Sequence, residues 1–522
     1  MPSPPEPQTN VYAIFGVEPE VQAYAMAKYS RSALSMRDSL KEISEQKAEK
    51  FLNTFYFQYG HRSIADLAHI AFAIERLSMI AAIVLVDEPR WDGQERSTRY
   101  QDFRKSGYHT PDFAGDESAA RLYCETMEFL FGEYEFFSQA MFEWLRQRTP
   151  RPEEMKPEAY ERTLRARAFD LARYLLPLGT NTSLGQIVNA RTLETQISRL
   201  LSNPYAEVRH LGALLKQAAR EPAFDAGRES REELLRKISE VDAELAARCR
   251  EALLKDVRVS PTLVKYAEPN PYEIETRREL AHAARELMRD AAIAPAPLVD
   301  LLEDEPLEIE LAATLLYQHS HYSYRQLRER VESLSAAQRE EIIDLGLRHR
   351  GKHDELLRAF SGGQGFRFDI LMDVGGFRDM HRHRRCVQIG QDFTWQHGYE
   401  MPEELASAGL QGRFEQAMAR CQSAAKQLAE SSVAKGVNGD GAIEARTRAV
   451  YVLPMACRKR TLFKMDFAEA LYIAELRTTP AGHFSYRNVA YAMYEAVARR
   501  HPALAKYFRV VDVRQPVDLL QR

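Results

Sequence analysis

The chain has 522 residues, of which 45% are hydrophobic, 28% charged and 10% aromatic, enough to bury sizeable cores in two or more globular units of about 100 to 200 residues each. Lys plus Arg number 71 against 75 Asp plus Glu, a formal net charge of -4, so there is no global field for nucleic acid or an anionic membrane, and any anion site must be a local cluster. The longest strongly apolar stretch, Met79 to Val86, is far below the roughly 20 residues that a membrane span needs.

Met1 to Asn10 is polar and proline-rich, without a basic segment followed by an apolar one, and reads as the start of a cytoplasmic protein without a secretory signal. Tyr59 to Asp66 (YGHRSIAD) reads as a helix entry, in which Gly60 supplies a turn, Ser63 the N-cap and Asp66 the third helical position. Free N–H groups at a helix start also suit an anion, so the structural and ligand-binding readings coexist. His61 by itself reads first as a structural histidine. Apolar residues then recur every three or four positions from Ile64 to Val84, predicting helix.

Gln94 to Tyr100 (QERSTRY) sets Glu95, Ser97 and Arg99 at alternate positions. On an extended backbone an acceptor, a hydroxyl and a guanidinium would project to one side, a face able to read a small polar molecule with a phosphate and an imide or hydroxyl. The alternative is an exposed polar loop. Helical spacing returns from Leu122 to Leu145 and from Leu211 to Leu254, and Arg258 to Asn270, with its two prolines, reads as the linker that puts a domain boundary near residue 260.

In the second half Pro295, Pro297, Ser361 to Gly365 (SGGQG) and Asn438 to Gly441 (NGDG) read as loops. His381 to Arg385 (HRHRR), with Arg378 one helical turn upstream, concentrates positive charge. Planar guanidinium forks match phosphate or pyrophosphate oxygens, while the plainer reading is a solvated basic run. Five scattered cysteines without a CxxC pair argue against a disulfide framework and a structural zinc site. The halves echo one another in order: Tyr59 to Ser63 in His319 to Ser323 (HSHYS), Ala172 to Pro177 (ARYLLP) in Val450 to Pro454 (VYVLP), and Asn189 to Arg199 in Asp466 to Arg477. A duplication is expected, with copies over 1–260 and 261–522 and an insertion over Glu329 to Gly365.

Together these elements resemble the flavin-dependent thymidylate synthases (ThyX), whose pattern runs Gly-His-x-Ser/Thr, Arg-His-Arg, Ser-x-Arg-Tyr, Ala-Arg-x-x-Leu-Pro and Asn-x-Arg. The pattern is divided between the copies. The first keeps Ser97, Arg99, Tyr100, Arg173, Asn189 and Arg191, but has Asp87, Glu88 and Pro89 at the Arg-His-Arg position. The second keeps Arg382, His383 and Arg384, but has Asp392, Thr394 and Trp395 for Ser, Arg and Tyr, then Val450, Asp466 and Ala468. Arg477 falls at the family's later substrate-phosphate arginine, where the first copy has Leu200.

The resemblance implies a helix-rich α+β fold of two tandem units, each a small, mostly antiparallel sheet packed by helices. It implies reductive methylation of dUMP to dTMP, with FAD as cofactor and NADPH and methylenetetrahydrofolate as co-substrates, and no metal. Because family members are homotetramers with sites between subunits, it also implies a homodimer forming a pseudo-tetramer with composite sites. The implied catalytic set is Ser97, Arg99 and Arg382. Glu95, Ser97, Arg99, Arg173 and Arg477 would surround dUMP, and His61, Ser63, Asp66, Asn189, Arg191, Arg382, His383 and Arg384 would line the flavin. Two alternatives stay open: a catalytically degenerate flavin- or nucleotide-binding or scaffold protein, and methylation of another uridine substrate, RNA included.

Overall fold

In the computed structural model of the chain, the described residues are 14, 16–28, 36, 39–40, 52, 62–113, 115–303, 305–351, 357–360, 362, 365–430, 440–505, 508–518 and 520. The first half starts with helix α1 (Pro19–Lys28) and a 3-10 turn (Arg62–Leu67), then strand β1 (His69–Ser78) and helix α2 (Met79–Leu85). The helix expected over Ile64–Val84 is therefore a strand for much of its length. Ile70, Ile74 and Leu77 face inward, while Arg76 has φ 60 and points out. One extra outward residue turns the strand's period of two into a 4-then-3 spacing that mimics a helix. Ser63 is likewise not an N-cap but an exposed residue inside the 3-10 turn.

Strand β2 (Asp92–Glu95), helices α3 (Glu117–Arg148) and α4 (Pro157–Ala172), a 3-10 turn (Arg173–Leu175), strand β3 (Asn181–Asn189) and helix α5 (Ala190–Leu201) follow. The expected helical stretch Leu211 to Leu254 resolves into α6 (Ala206–Arg220), α7 (Arg228–Ser239) and α8 (Ala243–Leu253), and α9 (Pro271–Leu287) comes next.

The second half has strand β4 (Val299–Leu301), helices α10 (Leu307–Tyr317), α11 (Tyr324–Glu332) and α12 (Ala336–Leu345), strand β5 (Phe366–Asp373), helix α13 (Val374–Met380) and strand β6 (Val387–Gly390). It continues with helices α14 (Glu403–Ser407), α15 (Gln411–Ala429) and α16 (Asp440–Ala449), a 3-10 turn (Val450–Val452), strand β7 (Arg458–Met465) and helices α17 (Phe467–Arg477), α18 (Phe484–Arg500) and the short α19 (Pro502–Ala505). Of the expected loop Asn438–Gly441, residues 438–439 lie outside the described residues, and Asp440 and Gly441 belong to α16. The protein is thus helix-rich, and among the described residues it has two small sheets, ordered β1-β3-β2 and β4-β5-β7-β6, the second antiparallel throughout.

The order strand, short helix, strand, long helix, helix, 3-10 turn, strand, helix occurs in both halves, with the short α14 added before the long helix in the second, and local chemistry repeats with it. Ser78 caps α2 by accepting from Ala81 N, and Asp373 caps α13 by accepting from Gly376 N. Met79 N donates to Thr180 O at 3.0 Å, as Val374 N does to Cys457 O at 3.0 Å. Asn181 N donates to Gly107 O and Arg458 N to Gly398 O, both at 3.0 Å. Gly107 and Gly398 hold φ of 68° and 69°, the left-handed turn that glycine adopts without strain. The echoed motifs pair with each other: Leu178 N donates to Leu453 O and Met455 N to Leu176 O, each at 2.9 Å, around the bridge between Pro177 and Pro454.

The chain divides into two compact units, one of Met1–Phe72, Gln186–Leu201 and His210–Glu268, the other of Ala73–Gly185, Ser202–Arg209 and Pro269–Arg522. In the first, the linker segment is packed: Leu263 and Val264 are fully buried, and the Glu20 carboxylate accepts from Thr262 N at 2.9 Å and Leu263 N at 2.8 Å. In the second, α10 and α11 close a core with Leu462 of β7, where buried charges are paired, Arg460 with Asp369 and Lys464 with Glu310, both at 3.0 Å. No described helix is long and apolar enough to cross a membrane.

Candidate functional site

The basic run His381–Arg385 occupies the turn that carries the chain from the end of α13 into β6. Asp466 caps α17, accepting from Glu469 N at 2.8 Å, and that helix contributes Glu469, Tyr472, Leu476 and Arg477 to a hollow of about 460 Å³ whose other lining is Arg382, His383, Arg384 and Arg385. All of these belong to the second unit.

The arginines differ in what holds them. Arg385 bonds the exposed Asp466 at 3.0 Å, and the half-exposed Arg382 stands 4.0 Å from Asp379. Arg384 lies over the Trp91 ring, 4.5 Å from its centroid, and donates to the Arg382 carbonyl at 3.3 Å. Arg477 donates through Nε to Nε2 of His383 at 2.8 Å and lies 5.3 Å from the Tyr486 ring centroid. These holding groups on Arg384 and Arg477 are neutral. Burial lowers the pKa of both below the ordinary arginine range, as expected of cations drawn from water without full compensation.

His383 can accept from Arg477 only if its proton sits on Nδ1, which is 3.3 Å from Glu469 Oε1. The chain Arg477 to His383 to Glu469 therefore contains a neutral imidazole, and burial pushes its pKa down in agreement.

The first-half arginines stand deeper. Arg99 is 8% exposed and donates to both oxygens of Asp170, at 2.7 and 3.3 Å, to Tyr486 Oη at 3.1 Å and to the Ala481 carbonyl at 3.1 Å. Burial opposes its charge, yet Asp170 holds its pKa above the usual range. Arg173 donates to Asp379 at 3.5 Å and to Thr98 Oγ1 at 3.4 Å. Burial alone would raise the pKa of Asp379, but Arg173, Arg382, Arg99 and Arg477 together keep it below the carboxylate range. One carboxylate thus gathers two arginines from each half of the chain. Glu95 pairs with Arg378.

The reciprocal position has a different character. Asp87 pairs with Arg358, faces His381 at 3.8 Å, and stands where Arg382 does in the other copy.

Glu95, Ser97 and Arg99 do not lie along one strand: β2 ends at Glu95, Ser97 accepts from Arg99 N at 3.2 Å, and residues 98–100 turn. The turn is what sends Arg99 inward to Asp170. In the first unit, Asp66 accepts from Arg191 at 3.3 Å, and Asn189 accepts through its side-chain oxygen from Thr192 N at 2.8 Å at the start of α5. His61 lies outside the described residues. Sequence reasoning did not find Asp170, Asp379, Glu469, Tyr472 or Tyr486. Asp379, inside the run from Arg378 to Arg385, carried a signal as the single acid among basic residues. No group of His, Cys, Asp and Glu arranged for a metal is present among the described residues.

The family model described as "Thymidylate synthase complementing protein" matches residues 15–222 and again 297–503. The chain is 26% identical over 538 residues to a UPF0159 protein of Chlamydia muridarum, covering 96% of this chain and 92% of that one. It is 27% identical over 176 residues to the flavin-dependent thymidylate synthase of Clostridium tetani, covering 34% of this chain and 67% of that one. Among solved structures, the flavin-dependent thymidylate synthase ThyX of Helicobacter pylori, complexed with FAD and dUMP, is 18% identical, with 39% of this chain and 89% of that one covered and a TM-score of 0.26. The chain belongs to the thymidylate synthase complementing protein family, that of the flavin-dependent thymidylate synthases, and the two matched regions fit a two-copy layout.

Proposed function

We propose that the chain is a flavin-dependent thymidylate synthase that methylates dUMP to dTMP at a composite site, with copies over 1–260 and 261–522 each giving part of it. The observation that carries this reading is the hollow of Arg382, Arg384 and Arg477, where Arg384 and Arg477 are contacted by neutral groups and the single carboxylate of Asp379 acts with Arg382, Arg477, Arg99 and Arg173 at once, so positive charge is in excess for an anion. The donor set fits the phosphates of FAD or of a nucleotide. Arg382, Arg384 and Arg477 would hold them, His383 and Glu469 would orient Arg477, and Arg99 would position Asp379 and Tyr486 rather than touch ligand.

When bound, FAD supplies the redox chemistry that none of these side chains has. NADPH and methylenetetrahydrofolate are the proposed co-substrates, and Ser97, partly exposed beside Arg99, the proposed nucleotide contact. Two chains forming a pseudo-tetramer complete the proposal.

Release of tritium from C5-labelled dUMP, dependent on FAD, NADPH and methylenetetrahydrofolate, tests it. Absence of release from folded, flavin-loaded protein refutes the synthase reading. One observation favours the second reading, binding without turnover: Glu95 and Arg99 are both engaged internally. Flavin or dUMP binding with no tritium release would establish that reading instead.

A further inference from the structure

We infer that the hollow takes a phosphate ester whose other end is a flat aromatic ring, and that Tyr472 is the residue that reads the ring; this rests on the nucleotide-site reading above. Glu469, Tyr472 and Leu476 recur at three and four residues along α17 and so share one face of that helix. Glu469 is 4% exposed against His383, but Tyr472 and Leu476 remain 53% and 42% exposed although both are large and apolar. They line the same hollow as Arg384 and Arg477. A basic face meant for water or for free phosphate gains nothing from two such side chains. A ligand with a ring would cover them while its phosphate met the arginines.

The Tyr472 ring is braced in an edge contact with His383, centroids 5.8 Å apart and planes at 71°, and the same imidazole holds Arg477. The ring and the charge therefore share one supporting imidazole. The shared chemistry is that of a nucleotide, and its source is either the pyrimidine of dUMP or a ring of FAD.

Calorimetric titration of the full chain with dUMP, FAD and ribose 5-phosphate tests the inference in wild type, Tyr472→Ala and Tyr472→Phe. The expected result is that at least one ring ligand binds wild type ten-fold or more tighter than ribose 5-phosphate. Tyr472→Ala should lose roughly ten-fold for that ligand, the order expected of one lost stacking contact, with ribose 5-phosphate unchanged within about two-fold and Tyr472→Phe retaining affinity. Whichever ligand suffers is the one whose ring is read. Equal affinities of wild type and Tyr472→Ala for both ring ligands would overturn the role of Tyr472. An Arg384→Ala/Arg477→Ala variant separates this from failure of the nucleotide site: if it still binds dUMP and FAD as wild type does, or if wild type binds neither, the site reading itself falls.

Discussion

Replacing Arg99 by alanine removes the guanidinium that meets both oxygens of Asp170 inside the protein. The two side chains are 10% and 7% exposed, and they meet at two points, 2.7 and 3.3 Å, so water cannot take over the lost interaction. Removing one member of a buried pair leaves an uncompensated charge and costs about 3–5 kcal/mol. That is a large fraction of the ~5–15 kcal/mol typical of a domain. Asp170→Asn should also destabilise, because it removes the carboxylate charge that compensates the guanidinium and one of the two side-chain acceptors, while the Tyr486 hydroxyl and the Ala481 carbonyl stay in place.

The Arg99→Ala/Asp170→Asn double variant buries no lone charge and should be more stable than the sum of the single effects implies, by about 1–3 kcal/mol. Trp91, Trp144 and Trp395 all lie in the second unit, so tryptophan fluorescence in a guanidinium titration reports the unit that holds the pair. A loss below about 1 kcal/mol for Arg99→Ala, or strictly additive single effects, would refute the reasoning. Stability intact but dUMP affinity lost would instead make Arg99 a direct ligand contact.

His383 is neutral in the fold with its pKa depressed by burial, so below the ordinary histidine value of about 6.5 the unfolded chain takes up a proton that the folded chain resists. Its contribution to stability is therefore complete above that pH and is lost as the pH falls toward the folded value; the unfolding midpoint of His383→Gln should lack this slope, so its difference from wild type should change across that range, and parallel profiles would count against it. Arg384→Ala should weaken dUMP or FAD binding ten-fold or more, whereas Arg385→Ala, whose guanidinium is already paired with an exposed Asp466, should change it by less than about three-fold; equal losses in a titration would contradict the division of charge. Gly107→Ala and Gly398→Ala should each cost about 1–2 kcal/mol, because both glycines hold φ near 68°, and an unchanged thermal midpoint in either would show that the two turns are not equivalent.

Several features were legible from local pattern because they depend on neighbours in the chain. Helical spacing found α3 and the stretch that became α6, α7 and α8. The order of echoed motifs found the two-copy layout, and the HRHRR run found one wall of the hollow. β1 was missed because the outward Arg76 gives the strand a helix-like spacing, which only the backbone dihedral reveals.

The sequence displayed the arginines as chemically equal, and nothing in the order of residues says which of them keeps its charge. That depends on contacts made over long separations. Arg99 is neutralised by Asp170, 71 residues away, and Arg173 meets Asp379 after 206, while Arg477 reaches back 94 residues to a neutral imidazole. By itself the sequence determined the inventory of donors and the two-copy plan. The tertiary structure decided which guanidiniums are compensated, because Coulomb energy and desolvation follow distance and burial, neither of which is written in residue order.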